Sequence, residues 1–359
     1  MAACADKPAH VYEYVERVLL KSEMQRKDGV PVCPEIHYRK TKNGILITGC
    51  YGTKGQVALP DEIDGIEVIG IGDYTFAENH KEEGESLVWK AADTFLERGG
   101  SESAGSFDNR INGSMVTELL LPSKVTEIGR YAFYRCKKLR KLTLTDSLLE
   151  IGGGAFTGCK LSEVEIHFQR GEQSCLKSIL DEMRFALRVK LCYAAEEREE
   201  TAVLLFPEHY EEAVENTPAR ILFTQHHGAG GYYRQCFYDR KLDYKRYDEL
   251  FFHTVVMEKP GIVAKLALNR LRYPFRLASA AREGYETYVR THLEEAVDYL
   301  IFQEDLEGLE FLTDGGYFTE RALDYGICAA LERRQTEMLS VLMDAKQRAF
   351  PKKRKQFEL

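Results

Sequence analysis

One stretch of sequence repeats itself, and that constrains the chain more than any local propensity. Leu121-Pro122 followed by SKVTEIGRYAFYRCKKL recurs 23 residues later as Leu144-Thr145 followed by DSLLEIGGGAFTGCKL. Ile128 falls on Ile151, Gly129 on Gly152, Ala132 on Ala155, Phe133 on Phe156 and Cys136 on Cys159. A third copy, VIGIGDYTF, lies 57 residues upstream and places Ile71, Gly72 and Phe76 in the same frame, which is one repeat plus an insertion. A fixed period of this length specifies stacked units that bury a continuous core no single unit could bury alone.

Each copy opens on a short alternating stretch (Leu119 and Leu121; Leu142 and Leu144; Val164 and Ile166), the period-two pattern of a strand with one buried face. The Ile-Gly pair then turns the chain, with glycine expected to supply backbone freedom. The phenylalanines of successive coils are expected to stack in a column, with Cys136 and Cys159 as small buried hydrophobes beside them. The frame LxLPxxVxxIGxxAFxxC resembles the BspA-type leucine-rich repeat, and Gly44 to Phe76 is similar to the opening strands and first coil of that family. The resemblance covers residues 44–168. It implies a right-handed, β-lined solenoid that binds proteins or other macromolecules and carries no catalytic residues of its own.

Within the insertion, residues 77–112, a Gly/Ser-rich tip reads as flexible, yet the same segment holds the sole tryptophan, Trp89, beside Leu87 and Val88, with Phe95 and Leu96 beyond. Two readings stand: an extra strand capped by a helical turn, or an aromatic anchor displayed to a partner. On the solenoid strands the residues alternating with the buried leucines are Glu118, Leu120, Lys141, Thr143, Glu163, Glu165 and His167. They are expected on the concave face, either as a binding strip or as a solvated, salt-bridged surface.

Beyond residue 168 the apolar period lengthens toward 3.6, so the expected fold class is an α+β repeat protein: a short leucine-rich solenoid followed by a mainly helical region. The expected segments are an N-terminal helix and lead-in (1–43), the solenoid (44–168), a mixed helix and hairpin region (169–260), a helical region (261–350) and a basic tail (351–359). Helices are expected over Leu176 to Tyr193 and Glu208 to Asn216. Ala296 to Asp314 overlays Gly326 to Asp344 at an offset of 30, two helical hairpins that resemble ankyrin-type repeats without the TPLH signature. Val203 to Ile221 and Leu266 to Val289 resemble a helical region that accompanies such solenoids in intracellular bacterial proteins.

One segment has the materials for chemistry. TQHHGAGGYYRQCFY brings together His226, His227, Tyr232, Arg234 and Cys236, and a thiol near imidazole is the raw material of nucleophilic catalysis. The competing reading is a β-hairpin between ILFTQ and YYRQCFY with a glycine-rich turn. No spacing typical of a metal site or nucleotide cradle occurs, so neither a metal nor a cofactor is expected.

Charge and cysteine content narrow the setting. Forty-nine basic against 57 acidic residues give a net charge of -8, a poor start for nucleic-acid binding, although the tail PKKRKQFEL could make weak contacts with an acidic partner or RNA. Nine cysteines without paired short spacing argue against a disulfide framework, and there is no export-type or membrane-spanning apolar run. The expectation is a cytoplasmic adaptor with a protein partner.

Overall fold

The computed structural model describes residues 32–78, 85–91, 109–194, 199–216 and 221–351. The expected N-terminal helix up to residue 31, Phe95 and Leu96, and the basic tail beyond Pro351 lie outside the described residues. The chain divides into two compact units, one of residues 1–201 with 208–243, the other of 202–207 with 244–359.

The first unit is a β-solenoid. Its early strands are β1 (Glu35–Lys40), β2 (Ile45–Tyr51), β3 (Gln56–Ala58), β4 (Glu62–Ile63), β5 (Ile66–Ile71) and β6 (Leu87–Lys90). The repeats add β7 (Glu118–Leu120), β8 (Glu127–Ile128), β9 (Lys141–Thr145), β10 (Glu150–Ile151) and β11 (Glu163–Phe168). Helix α1 (Leu176–Glu182) and strand β12 (Leu187–Tyr193) follow. Two sheets result, one ordered β10-β8-β5-β2-β1-β6 and one containing the run β12-β11-β9-β7-β3. The sheet therefore starts at Glu35 and not at residue 44, because β1 pairs antiparallel with β2.

The parallel register reproduces the sequence offsets. Ile71 pairs with Ile128 and Ile128 with Ile151. In the other sheet Val57, Leu119, Leu142, Val164 and Val189 form one cross-strand row, and all are buried. Between the sheets Phe76, Phe133 and Phe156 stack with centroids 5.3 and 5.2 Å apart, as the repeat predicts. The thiols beside them donate to that column's backbone: Cys136 Sγ to Phe76 O at 3.1 Å and Cys159 Sγ to Phe133 O at 3.0 Å.

The glycine of the turn is needed for space and not for an unusual φ. A Cβ on Gly152 would lie 2.5 Å from the Arg130 backbone nitrogen, so adjacent coils could not close to hydrogen-bonding distance.

Two helix expectations are corrected. Leu176 to Tyr193 is a two-turn helix and then a strand, because RVKLCY alternates: Val189 and Leu191 point inward and Arg188 and Lys190 outward. β12 is thus one more rung of the solenoid, which does not end at residue 168. Glu208 to Asn216 is also a strand, β14 (Tyr210–Asn216), paired antiparallel with β15 (Ile221–His227). It follows β13 (Glu200–Phe206), and the first unit closes with α2 (Gly230–Tyr233), β16 (Phe237–Tyr238) and β17 (Lys241–Leu242).

The second unit is helical: α3 (Tyr244–Glu249), α4 (Phe251–Met257), α5 (Pro260–Arg272), α6 (Ser279–Thr291), α7 (Leu293–Phe302), α8 (Leu306–Asp314), α9 (Glu320–Glu332) and α10 (Thr336–Ala349). α7 with α8 and α9 with α10 are the two hairpins of the 30-residue repeat, and α9 packs on both α7 and α10. Asp305 caps α8 by accepting from Gly308 N, and Thr319 caps α9 by accepting from Ala322 N. Pro260 opens α5, where a missing N–H costs nothing. No described helix is long and apolar enough to cross a membrane.

Candidate functional site

On the solenoid face the charged residues from Lys141 to His167 are engaged in ion pairs with neighbouring rungs. Parallel pairing aligns Glu118, Lys141, Glu163 and Arg188 in one row and Leu120, Thr143, Glu165 and Lys190 in the next. Opposite charges on neighbouring rungs then meet: Lys141 Nζ lies 3.4 Å from Glu163 and 3.2 Å from Glu165. Lys190 approaches Glu165 at 3.1 Å and Arg188 approaches Glu163 at 3.1 Å. His167 stands between two carboxylates, Nε2 at 3.2 Å from Glu165 and Nδ1 at 3.7 Å from Glu199. Thr143 and Glu165 are buried within the strip. Of the two sequence readings, the salt-bridged sheet face describes these side chains.

Glu165 is the hub. Burial works against its ionisation, but the His167 hydrogen bond and the ammonium groups of Lys190 and Lys141 outweigh that and hold its carboxyl well below the usual range. Its donor oxygen, His167 and the Cys192 thiol lie within 4.8 Å of one another, close enough to bracket a metal ion. Two ammonium groups already fill the cation's place, and burial pushes the Cys192 thiol up, away from the thiolate a metal needs. The cluster is an ion-pair network.

That network makes a stability prediction. Because the folded carboxyl of Glu165 titrates below its unfolded value, its contribution is complete above the unfolded pKa of about 4.3 and fades as pH falls below it. Glu165→Gln is therefore expected to cost roughly 2–3 kcal/mol at pH 7, since the ammonium groups of Lys141 and Lys190 lose their anion. Urea midpoints measured at about pH 7 and about pH 3 should show the difference between wild type and variant shrinking at the lower pH.

Trp89 lies on β6, the terminal strand of its sheet, opposite Ile36 of β1. The strand reading holds for Leu87 to Trp89. The indole is half-buried, while Leu87 and Val88 are 48% and 51% exposed. Lys90 anchors the strand's end through the buried Glu35, at 3.4 Å.

The 226–236 segment does not assemble as a catalytic group. The hairpin partner of β15 is β14 and not the YYRQCFY stretch, which instead forms α2 and the short β16. Pairing of His227 with Tyr210 and of His226 with Glu211 sends the adjacent histidines to opposite faces of the ribbon. His227 stacks on Tyr210 at 4.4 Å and meets Glu212 at 3.2 Å. Arg234 is buried, donating to the carbonyls of Leu180 at 3.0 Å and Met183 at 2.6 Å, where it seals the end of α1. Cys236 is fully buried with its sulfur 4.0 Å from the Tyr232 carbonyl, and Tyr232 is exposed. A cavity of about 690 Å³ occurs elsewhere, over the first sheet, lined by Arg39, Asp73, Tyr74, Arg110 and Glu127 among others. None of His226, His227 and Cys236 lines it.

Comparison with known proteins agrees with the solenoid geometry. Residues 107–189 match the family model described as BspA type Leucine rich repeat region (6 copies). Among solved structures, a leucine rich cell surface protein from Faecalibacterium prausnitzii is 21% identical, with 41% of this chain and 30% of that one covered and a TM-score of 0.23. The matched part thus spans under a third of that protein's length. No curated protein matches. The match extends past residue 168 and ends at the start of β12, so the register, the phenylalanine column and the family model meet in one conclusion: residues 107–189 of this chain are a BspA-type leucine-rich-repeat region.

Proposed function

We propose that this chain is a non-enzymatic binding module that docks a protein partner by strand addition at β6. The carrying observation is that β6 ends its sheet among the described residues, with Leu87 and Val88 half exposed on either side of it. An edge strand presents a row of backbone donors and acceptors, and alternating side-chain contacts supply selectivity. The saturated ladder at Glu163 to Lys190 offers no comparable surface, because a partner would first have to break existing ion pairs. Leucine-rich solenoids are commonly protein-interaction modules, which supports the same reading. Seven described cysteines are buried free thiols, consistent with a reducing compartment such as the cytoplasm.

A photo-reactive amino acid at Val88, with Lys137 as an exposed control position, tests this in the native host. The expected result is a discrete protein adduct from position 88, absent from position 137, and a loss of about tenfold or more in affinity for that protein on Val88→Lys. Equal adducts from both positions, or none from position 88, would overturn the proposal.

A further inference from the structure

The same pairing that separates the two adjacent histidines builds a different cluster. His209 precedes β14, two residues before Glu211, and Glu211 stands directly opposite His226 on β15. Period two puts all three on one face of the ribbon. His226 Nδ1 lies 3.4 Å and His209 Nε2 3.7 Å from the same carboxylate oxygen of Glu211, and the two imidazole planes are within 8° of parallel. One donor atom from each residue lies within 4.8 Å of the others.

These separations have a chemical meaning. They exceed an ordinary hydrogen bond of about 3.2 Å at most. One equals and the other slightly exceeds the roughly 3.4 Å between neighbouring donors around a tetrahedral ion with bonds of about 2.0–2.1 Å. We propose that His209, Glu211 and His226 form a binding site for a divalent transition metal of the zinc class, with ligands His209 Nε2, His226 Nδ1 and a Glu211 oxygen and with water completing the shell.

Two further features support the site. Among the described residues both ion pairs of Glu211 are with imidazoles and no ammonium occupies the cation's position, in contrast to Glu165. Gly231 makes room for the His209 ring: a Cβ there would sit 2.9 Å from His209 Cε1 and 3.0 Å from Nδ1. Two nitrogen donors with one carboxylate favour Zn²⁺, Cu²⁺ or Ni²⁺ over Mg²⁺ or Ca²⁺, which prefer all-oxygen shells. With Glu211 57% and His226 61% exposed at the side chain, the remaining positions are open to solvent. A bound ion would clip the two strands of the ribbon together.

The test uses the full chain with Zn²⁺ alone, in a Cys4→Ser, Cys328→Ser background that removes Cys4 and the thiol exposed among the described residues. Calorimetry at neutral pH is expected to show one equivalent bound, weakened at least about tenfold by His226→Ala and by Glu211→Gln and unchanged by His227→Ala. Gly231→Ala, which leaves every ligand in place, is expected to weaken binding too, by displacing the ring of His209. Co²⁺ should give visible d–d bands without thiolate charge transfer. Absence of Zn²⁺ binding, unchanged affinity in His226→Ala, or a thiolate band with Co²⁺ would each overturn the assignment.

Discussion

Phe133→Ala is expected to lower the stability of the first unit by about 3–5 kcal/mol, among the larger costs a single core substitution exacts. The ring is fully buried and stacks on Phe76 on one side and Phe156 on the other, so its loss removes two aromatic contacts at once. Collapse into the gap is restricted. Phe76 N donates to Ala132 O at 2.8 Å and Phe133 N to Ala155 O at 2.8 Å, so the coils above and below are pinned by backbone bonds. Phe133→Leu keeps most of the volume and should cost less, about 1–1.5 kcal/mol. Trp89, the sole tryptophan, belongs to the first unit, so its fluorescence during urea titration reports this transition. A loss below about 1 kcal/mol for the alanine variant would mean that the column is not a cooperative element of the core.

That column was legible because a solenoid converts sequence offset into spatial adjacency. Residues 23 apart, Phe133 and Phe156 or Ile128 and Ile151, become stacked neighbours or cross-strand partners with no other information needed. The insertion did not hide the third copy, since Ile71 and Phe76 still fall into register with Ile128 and Phe133. Legibility failed where the pairing partner was not a repeat. EHYEEAVEN is rich in good helix formers, and its strand state comes from pairing with ILFTQHH, a tertiary contact that local propensity does not contain. β12 escapes a sequence reading for the opposite reason: its alternation is clear, but it follows a helix of only seven residues whose apolar spacing continues into it.

The candidate sites divide along the same line. The strip Glu118 through His167 lies on the alternating positions of its strands, with Thr143 and Glu165 buried within it, and its ion pairs draw on Arg188 and Lys190 from β12, where the sequence suggests helix. His226 was singled out for its neighbours in sequence, His227 and Cys236, neither of which shares its face or its partner. Its companion His209 lies 17 positions earlier, and only the Glu211-to-His226 register exposes the relation. An antiparallel alignment of the two segments would have been the signal.

In the second unit, Arg270→Met is expected to cost about 3–5 kcal/mol, because it breaks a buried ion pair by removing one partner. Arg270 is fully buried at the end of α5, with Nε 2.8 Å from Asp248 Oδ1 and Nη2 2.9 Å from Oδ2, a bidentate pair. The same guanidinium donates to the carbonyls of Tyr273 at 3.4 Å and Phe275 at 3.2 Å, which fixes the turn between α5 and α6. Methionine fills comparable space but leaves the Asp248 carboxylate buried without its guanidinium, beside the Tyr285 hydroxyl that donates to it at 2.8 Å. Arg270→Lys should rescue little, because a point charge cannot reproduce a planar fork serving one carboxylate and two carbonyls. The informative variant is the double replacement Arg270→Met with Asp248→Leu. If the penalty comes from stranding a buried charge, the double variant recovers much of what Arg270→Met loses; if it comes from the turn, the double variant stays as unstable as the single. Far-UV ellipticity during thermal and urea unfolding follows the helical unit, and a loss under about 1 kcal/mol in Arg270→Met would show that the pair does not hold it together.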